Sequence, residues 1–236
     1  MAKSQAGRAT DHIASEFYRK LKPLGFKKRS RTFNRTVSEG WYHVIEFELI
    51  WAPRMPAHQQ FFLSVGVAQD MVTETLKKGF RTQRFADFAS LWDCFIAYTL
   101  HRKEGLVKYD QDAGLRRSRF DPDIFWNPLD DEATLTSVAY DCLQTHGLPL
   151  LDALDTKEKI FACYSYLNPQ TDKYKAVLLH ELGMSEESEK LLAQLSQEEK
   201  RQIEELRSRF PNGLFFARRP AQEIVQKLKE SRDEKM

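Results

Sequence analysis

Glu46 and Glu48 are the only closely paired carboxylates in a stretch of this sequence that reads as a strand. Two residues apart on an extended backbone, their side chains leave on the same face. Like charges held together push one pKa upward, which general acid–base work by a carboxyl pair requires. The chemistry so defined is that of a hydrolase using Glu46 and Glu48. A neighbouring strand carrying Arg29, Arg31 and Arg35 offers a plainer account, because cross-strand charge pairing would neutralise both acids. Ion-pair networks also perturb pKa values. The expectation is therefore a structural role for the two glutamates.

The basic run itself is the second candidate. In Lys27-Lys28-Arg29-Ser30-Arg31-Thr32-Phe33-Asn34-Arg35, unbroken alternation would place Arg29, Arg31, Phe33 and Arg35 on one face. An aromatic ring among guanidinium groups suits phosphate contacts and base stacking. Edge strands also carry cations simply to discourage sheet-to-sheet association. No RNP-type signature, GxxG loop or helix-turn-helix accompanies the run. Farther along, Arg116, Arg117 and Arg119 precede Phe120, Phe125 and Trp126. Arg and Trp are favoured interface anchors, although the large apolar area of Trp126 argues for core burial.

The remaining reactive residues form no motif. His12, His43, His58, His101, His146 and His180 lack metal-ligand spacing, and HExxH, GxSxG, GxxxxGK and GxGxxG patterns are absent. Cys94, Cys142 and Cys163 are far apart with no CxxC pair, which reads as buried free thiols in a reducing compartment. No catalytic residue, metal or cofactor is expected.

Positioning these residues requires a scaffold of both kinds. Ala9 to Leu24 has Ile13, Phe17 and Leu21 at spacing four and reads as an amphipathic helix stopped by Pro23 and Gly25. Three strands should follow, over Phe26–Val37, Trp41–Trp51 and Phe61–Ala68, with a turn at Glu39-Gly40 and a loop over Ala52–Gln60. In the second, Ile45, Phe47, Leu49 and Trp51 share a face, and the continuous apolar run of the third marks a central strand. An antiparallel meander is the simplest topology. The spacing of Phe85, Phe88, Trp92, Phe95 and Ile96 predicts a helix from Arg84 to Leu100. After Pro128 helices dominate. One should start at Asp130 or Asp131 and stop at Gly147, and another should be capped by Asp155 with Glu158. Lys173–Leu182 and Ser185–Leu195 would pair as a hairpin like one tetratricopeptide repeat. A further helix should be capped by Ser196 with Glu199, and a last one should open at Pro220.

With these elements in place, four stretches carry a resemblance: LKPLGFKKRSRTFNR, HVIEFELIW, FFLSVGV, and DIFWNPLDDEATL running on to GLPLLDAL. Across about residues 11–154 the chain resembles the domain-of-unknown-function family numbered 4304. The resemblance implies an α+β scaffold and brings no established activity. Similar proteins often carry Gln and Ser in the second strand, where this chain has Glu48 and Ile50.

Composition sets the outer bounds. A chain of 236 residues with 42% apolar residues, sixteen Phe and four Trp can build a core without metals or disulfides. Net charge is only +2, yet Met1–Val37 holds ten Lys or Arg against Asp11 and Glu16, an asymmetry that attracts nucleic acid or an acidic protein surface. MAKSQAGRATDH lacks an apolar signal core, and no window approaches the ~18 apolar residues of a membrane span. A cytoplasmic protein with no membrane association is expected. The fold expectation is α+β: a sheet domain over 9–127 and a helical region packed on it over 128–231, with one continuous domain as the alternative. The functional expectation is a non-enzymatic protein-binding module, immunity-like or regulatory. A nucleic-acid-binding protein using the basic strand is the first alternative, and a carboxylate hydrolase the second.

Overall fold

The computed structural model describes residues 4–50, 60–76, 88–108, 123–124, 126–128, 130–170 and 172–209. The fold is α+β. The chain divides into two compact units, Met1–Gln69 with Asp87–Asp155, and Asp70–Ala86 with Thr156–Met236.

The first unit opens with helix α1 (Gln5–Leu21), capped by the Ser4 side chain, which accepts the Gly7 N–H. A 3-10 turn over Lys22–Leu24 ends it at Gly25, whose φ of 85° is cheap only without a Cβ. Six strands follow: β1 (Lys27–Arg29), β2 (Thr32–Ser38), β3 (Trp41–Ile50), β4 (Gln60–Gln69), β5 (Cys94–His101) and β6 (Gly105–Lys108). They lie in chain order, each antiparallel to the next, so the meander is the observed topology.

Two strand expectations need correction. The basic strand is not continuous: a turn at Ser30-Arg31, with Ser30 at φ 57°, folds Phe26–Val37 into the β1–β2 hairpin. The helix expected over Arg84–Leu100 is instead, in its described part, a single 3-10 turn (Leu91–Asp93) leading into β5. Ser90 and Asp93 cap that turn reciprocally. The run Cys94–His101 is rich in aromatic and branched residues, and Ile96 and Leu100, at a spacing common to both periods, are buried on the sheet.

Register sorts the side chains into two faces. Phe33, Ile45, Phe47, Leu63, Val65 and Val67 share the first with Phe61 and Ile96. Helix α1 packs there through Phe17, and the rings of Phe17 and Phe47 meet edge-on at 4.9 Å. The second face carries Asn34, Val44, Glu46, Glu48, Ser64, Gly66 and Thr99. Gly66 has a steric reason: a Cβ there would sit 2.7 Å from the Ile96 carbonyl oxygen and 2.8 Å from Cys94 Sγ. Because one obstacle is backbone, Gly66→Ala should cost about 1–3 kcal/mol. An unchanged urea midpoint for that variant would show that β5 can give way.

Helix α3 (Glu132–Cys142) is capped by Asp131, and it runs through a π-helical turn (Leu143–Gly147) into α4 (Leu148–Ala153). Gly147 therefore does not stop the helix. It is buried and helical, and a Cβ would lie 2.7 Å from Leu143 and 3.1 Å from Val65, so its bareness lets the helix approach the sheet. The i→i+5 bond from the Leu148 N–H to the Leu143 carbonyl widens the turn just before Pro149, which has no N–H to give.

The second unit contains α2 (Asp70–Leu76), α5 (Lys157–Leu167), α6 (Lys173–Glu181) and α7 (Ser185–Arg209). The cap of α5 is Thr156, accepting the Lys159 N–H, one residue later than the Asp155–Glu158 pattern implied. Gly183 at φ 82° stops α6. Ser196 caps nothing, because α7 runs unbroken from Ser185 to Arg209; no Gly or Pro interrupts its Glu-, Lys- and Gln-rich sequence. The α6–α7 hairpin is tied by Ser188 Oγ, which donates to the Ala176 carbonyl at 2.7 Å, and by an ion pair between Lys173 and Glu199. The expected helix at Pro220 lies outside the described residues. No described helix is long and apolar enough to cross a membrane.

Candidate functional site

The two glutamates do share a face, as alternation requires; Arg35 falls on the opposite face, whereas Arg29 falls on theirs, one strand beyond Thr32. Arg35 stands opposite His43, and Phe33 opposite Ile45, on the first face; Glu46 stands opposite Thr32 on the second. Arg31 lies in the hairpin turn, and Arg29, beyond it, is in register with Thr32. The turn at Ser30 thus resets the alternation that would have aligned Arg29, Arg31, Phe33 and Arg35.

Arg31, Arg35 and Glu46 each bond to a different element. Arg31 Nε donates to Asp11 Oδ1 at 2.6 Å and its Nη2 to the Gly7 carbonyl at 2.9 Å, which fastens α1 to the hairpin. Arg35 Nη2 donates to Asp152 Oδ1 at 2.5 Å, while its guanidinium carbon lies 4.8 Å from the Phe26 ring centre. Glu46 Oε2 accepts the Leu91 N–H at 2.6 Å, and Asn34 Nδ2 donates to the Ala89 carbonyl at 2.8 Å. Two polar side chains of the second face, Glu46 and Asn34, therefore hold the segment entering β5, while Ser64 and Thr99 bond each other at 3.2 Å. Cross-strand neutralisation by Arg31 and Arg35 is replaced by ion pairs to helices, because register parity sets those arginines opposite the first-face residues.

Phe33 and Trp126 are fully buried. Trp126 pairs with Phe61 through an isolated bridge and stacks on its ring at 6.5 Å between centroids; Arg102 lies over the indole at 4.4 Å. Arg116, Arg117 and Arg119 lie outside the described residues.

One buried titratable group emerges that spacing along the chain did not single out. His43, 2% exposed, has both ring nitrogens engaged. Nε2 lies 2.8 Å from the Leu154 carbonyl, an acceptor, so Nε2 carries the hydrogen. Nδ1 then accepts from Arg35 Nη2 at 3.0 Å. Burial, aided by the Arg35 charge, lowers the His43 pKa from 6.5 to about 4, although the Leu154 hydrogen bond opposes the shift. The result is a neutral imidazole joining β3 to the end of α4. On the surface, His12 hydrogen-bonds Glu132 across α1 and α3, and that carboxylate raises its pKa.

The cysteines are half-buried free thiols rather than fully buried ones. Burial pushes the thiols of Cys142 and Cys163 up, which keeps them protonated and poorly nucleophilic. Among the described residues, no group of three His, Cys, Asp or Glu is placed to hold a metal ion.

Compared with known proteins, the chain matches no family model, no curated protein and no solved structure.

Proposed function

We propose that this chain is a non-enzymatic protein-binding module of an immunity-like or regulatory kind. The observation that carries the reading is the commitment of Glu46 to the Leu91 N–H at 2.6 Å. A carboxylate that accepts a main-chain N–H is tied to the scaffold, here to the segment entering β5. Exposed Tyr166, Val138, Leu24 and Met184 supply apolar side chains of the sort that interfaces cover. Kinship with the family numbered 4304 is part of the same proposal and rests on the four stretches that carry the resemblance.

The test is affinity capture with the tagged full chain from native lysate, followed by mass measurement of the eluted complex. A partner recovered in stoichiometric amount is the expected result. Repeated recovery of the chain alone would count decisively against a binding module, and hydrolysis by the wild type that is lost in Glu46→Gln would restore the enzyme reading.

A further inference from the structure

We infer that the corner where α1 meets β1 is the docking surface for an acidic protein segment bearing apolar side chains, a deepening that rests on the binding-module reading. From Phe17 to Ser38 the chain holds eight Lys or Arg and no Asp or Glu. Three of these cations are committed within the fold: Arg19 to Glu16, Arg31 to Asp11 and Arg35 to Asp152. Lys20 lies over the Tyr140 ring at 4.1 Å, and Lys28 Nζ donates to Ser15 Oγ at 3.2 Å, contacts that leave both charges unneutralised. Lys22 and Lys27 are exposed, and neither forms an ion pair among the described residues.

Local geometry brings these last two together. The Gly25 N–H donates to the Lys22 carbonyl at 3.1 Å and the Phe26 N–H to the Leu21 carbonyl at 3.3 Å, so the chain reverses tightly between helix and strand. Leu24 stands at the tip of that reversal, 43% exposed, with Lys22 and Lys27 on either side. An uncompensated cluster of like charge repels itself and attracts an opposite one, which speeds encounter with an acidic surface.

Protein is favoured over nucleic acid by the same corner. Base stacking needs an accessible ring; here Phe33 and Phe26 are 0% and 2% exposed, Tyr18 is half-buried against Phe33, and Lys20 lies over the half-buried Tyr140. What the corner does expose is an aliphatic side chain, suited to an apolar neighbour in an otherwise acidic segment. At three residues, β1 is too short an edge for strand addition, so recognition falls to side chains.

The experiment titrates the full chain with a labelled peptide of alternating glutamate and leucine, with polyglutamate, and with a single-stranded oligonucleotide of matched charge. The alternating peptide should bind most tightly and weaken as salt rises. Lys22→Glu combined with Lys27→Glu should weaken it about tenfold or more, as expected for loss of opposite-charge contacts. Leu24→Ser should weaken the alternating peptide several-fold while leaving polyglutamate unchanged. Tighter binding of the oligonucleotide, no binding at low salt, or indifference to charge reversal would each overturn the proposal. Lysate capture with wild type and the charge-reversed variant separates the two levels. A partner held equally by both sinks this surface and spares the binding module; a partner lost only on reversal supports the surface. If neither captures a partner, the module reading fails and the surface falls with it.

Discussion

Replacing Phe47 with alanine should destabilise the chain by about 3–5 kcal/mol, the range for deleting a buried aromatic side chain from a well-packed core. Phe47 is 2% exposed and lies between three other rings. Phe17 of α1 meets it edge-on at 4.9 Å, Phe61 of β4 at 5.2 Å and Phe33 of β2 at 6.0 Å. Edge-to-face geometry adds to area burial in such pairs, so truncation removes more than transfer free energy. The hole left behind is bounded by strands on two sides and a helix on the third, which cannot all collapse into it together. Urea denaturation should show a lowered midpoint with an unchanged slope. A loss below about 1 kcal/mol would mean that α1 settles onto the sheet without this ring, and that the aromatic cluster is not what joins the two.

How much of this could be read along the chain depends on whether the deciding contact is local. Period-two alternation alone put Ile45 and Phe47 on the buried face, and the unbroken apolar run from Phe61 marked a strand flanked on both sides. The same logic failed at Phe85, Phe88, Trp92, Phe95 and Ile96, because a short apolar run matches helix and strand periods alike. It failed again at Ser30, since serine carries no strong signal for a left-handed turn, where Gly, Asn or Asp would. That one residue changed the face on which the arginines fall. The true partners of Arg31 and Arg35 lie 20 and 117 residues away in sequence, and only the packed helices bring them near. His43 was visible as a residue in an alternating strand, but its role depends on Leu154, 111 residues on. Elements were legible wherever periodicity decides them; the site was not, because tertiary docking decides it.

Acidification from about pH 6.5 to pH 4 should remove stability through His43 alone, by an amount on the order of 3 kcal/mol if the shift from 6.5 to about 4 is fully expressed. The folded-state pKa is depressed, so between those values the unfolded chain binds a proton that the folded chain refuses. Stability is therefore fully present above the unfolded value of 6.5 and is lost as pH falls towards 4. The cause is geometric: a proton on Nδ1 would face the Arg35 guanidinium that now donates to it, in a site where water cannot screen the two charges. Asp152, paired with Arg35, and Asp155 favour the imidazolium but do not reverse the balance. Two other groups act differently. His12 has a raised pKa, so its contribution is present at low pH and fades as pH rises, and full exposure keeps it small. Asp123 and Asp131, held below the usual carboxylate value by Lys103 and Thr134, lose their contributions only at lower pH. His43→Gln, which keeps an amide donor for the Leu154 carbonyl but does not titrate, should be less stable than wild type at pH 7 and should close that gap as pH falls towards 4. Parallel pH–stability profiles for the two proteins would show that the imidazole can take up its proton without leaving the end of α4, and the neutral clasp between β3 and that helix would no longer stand.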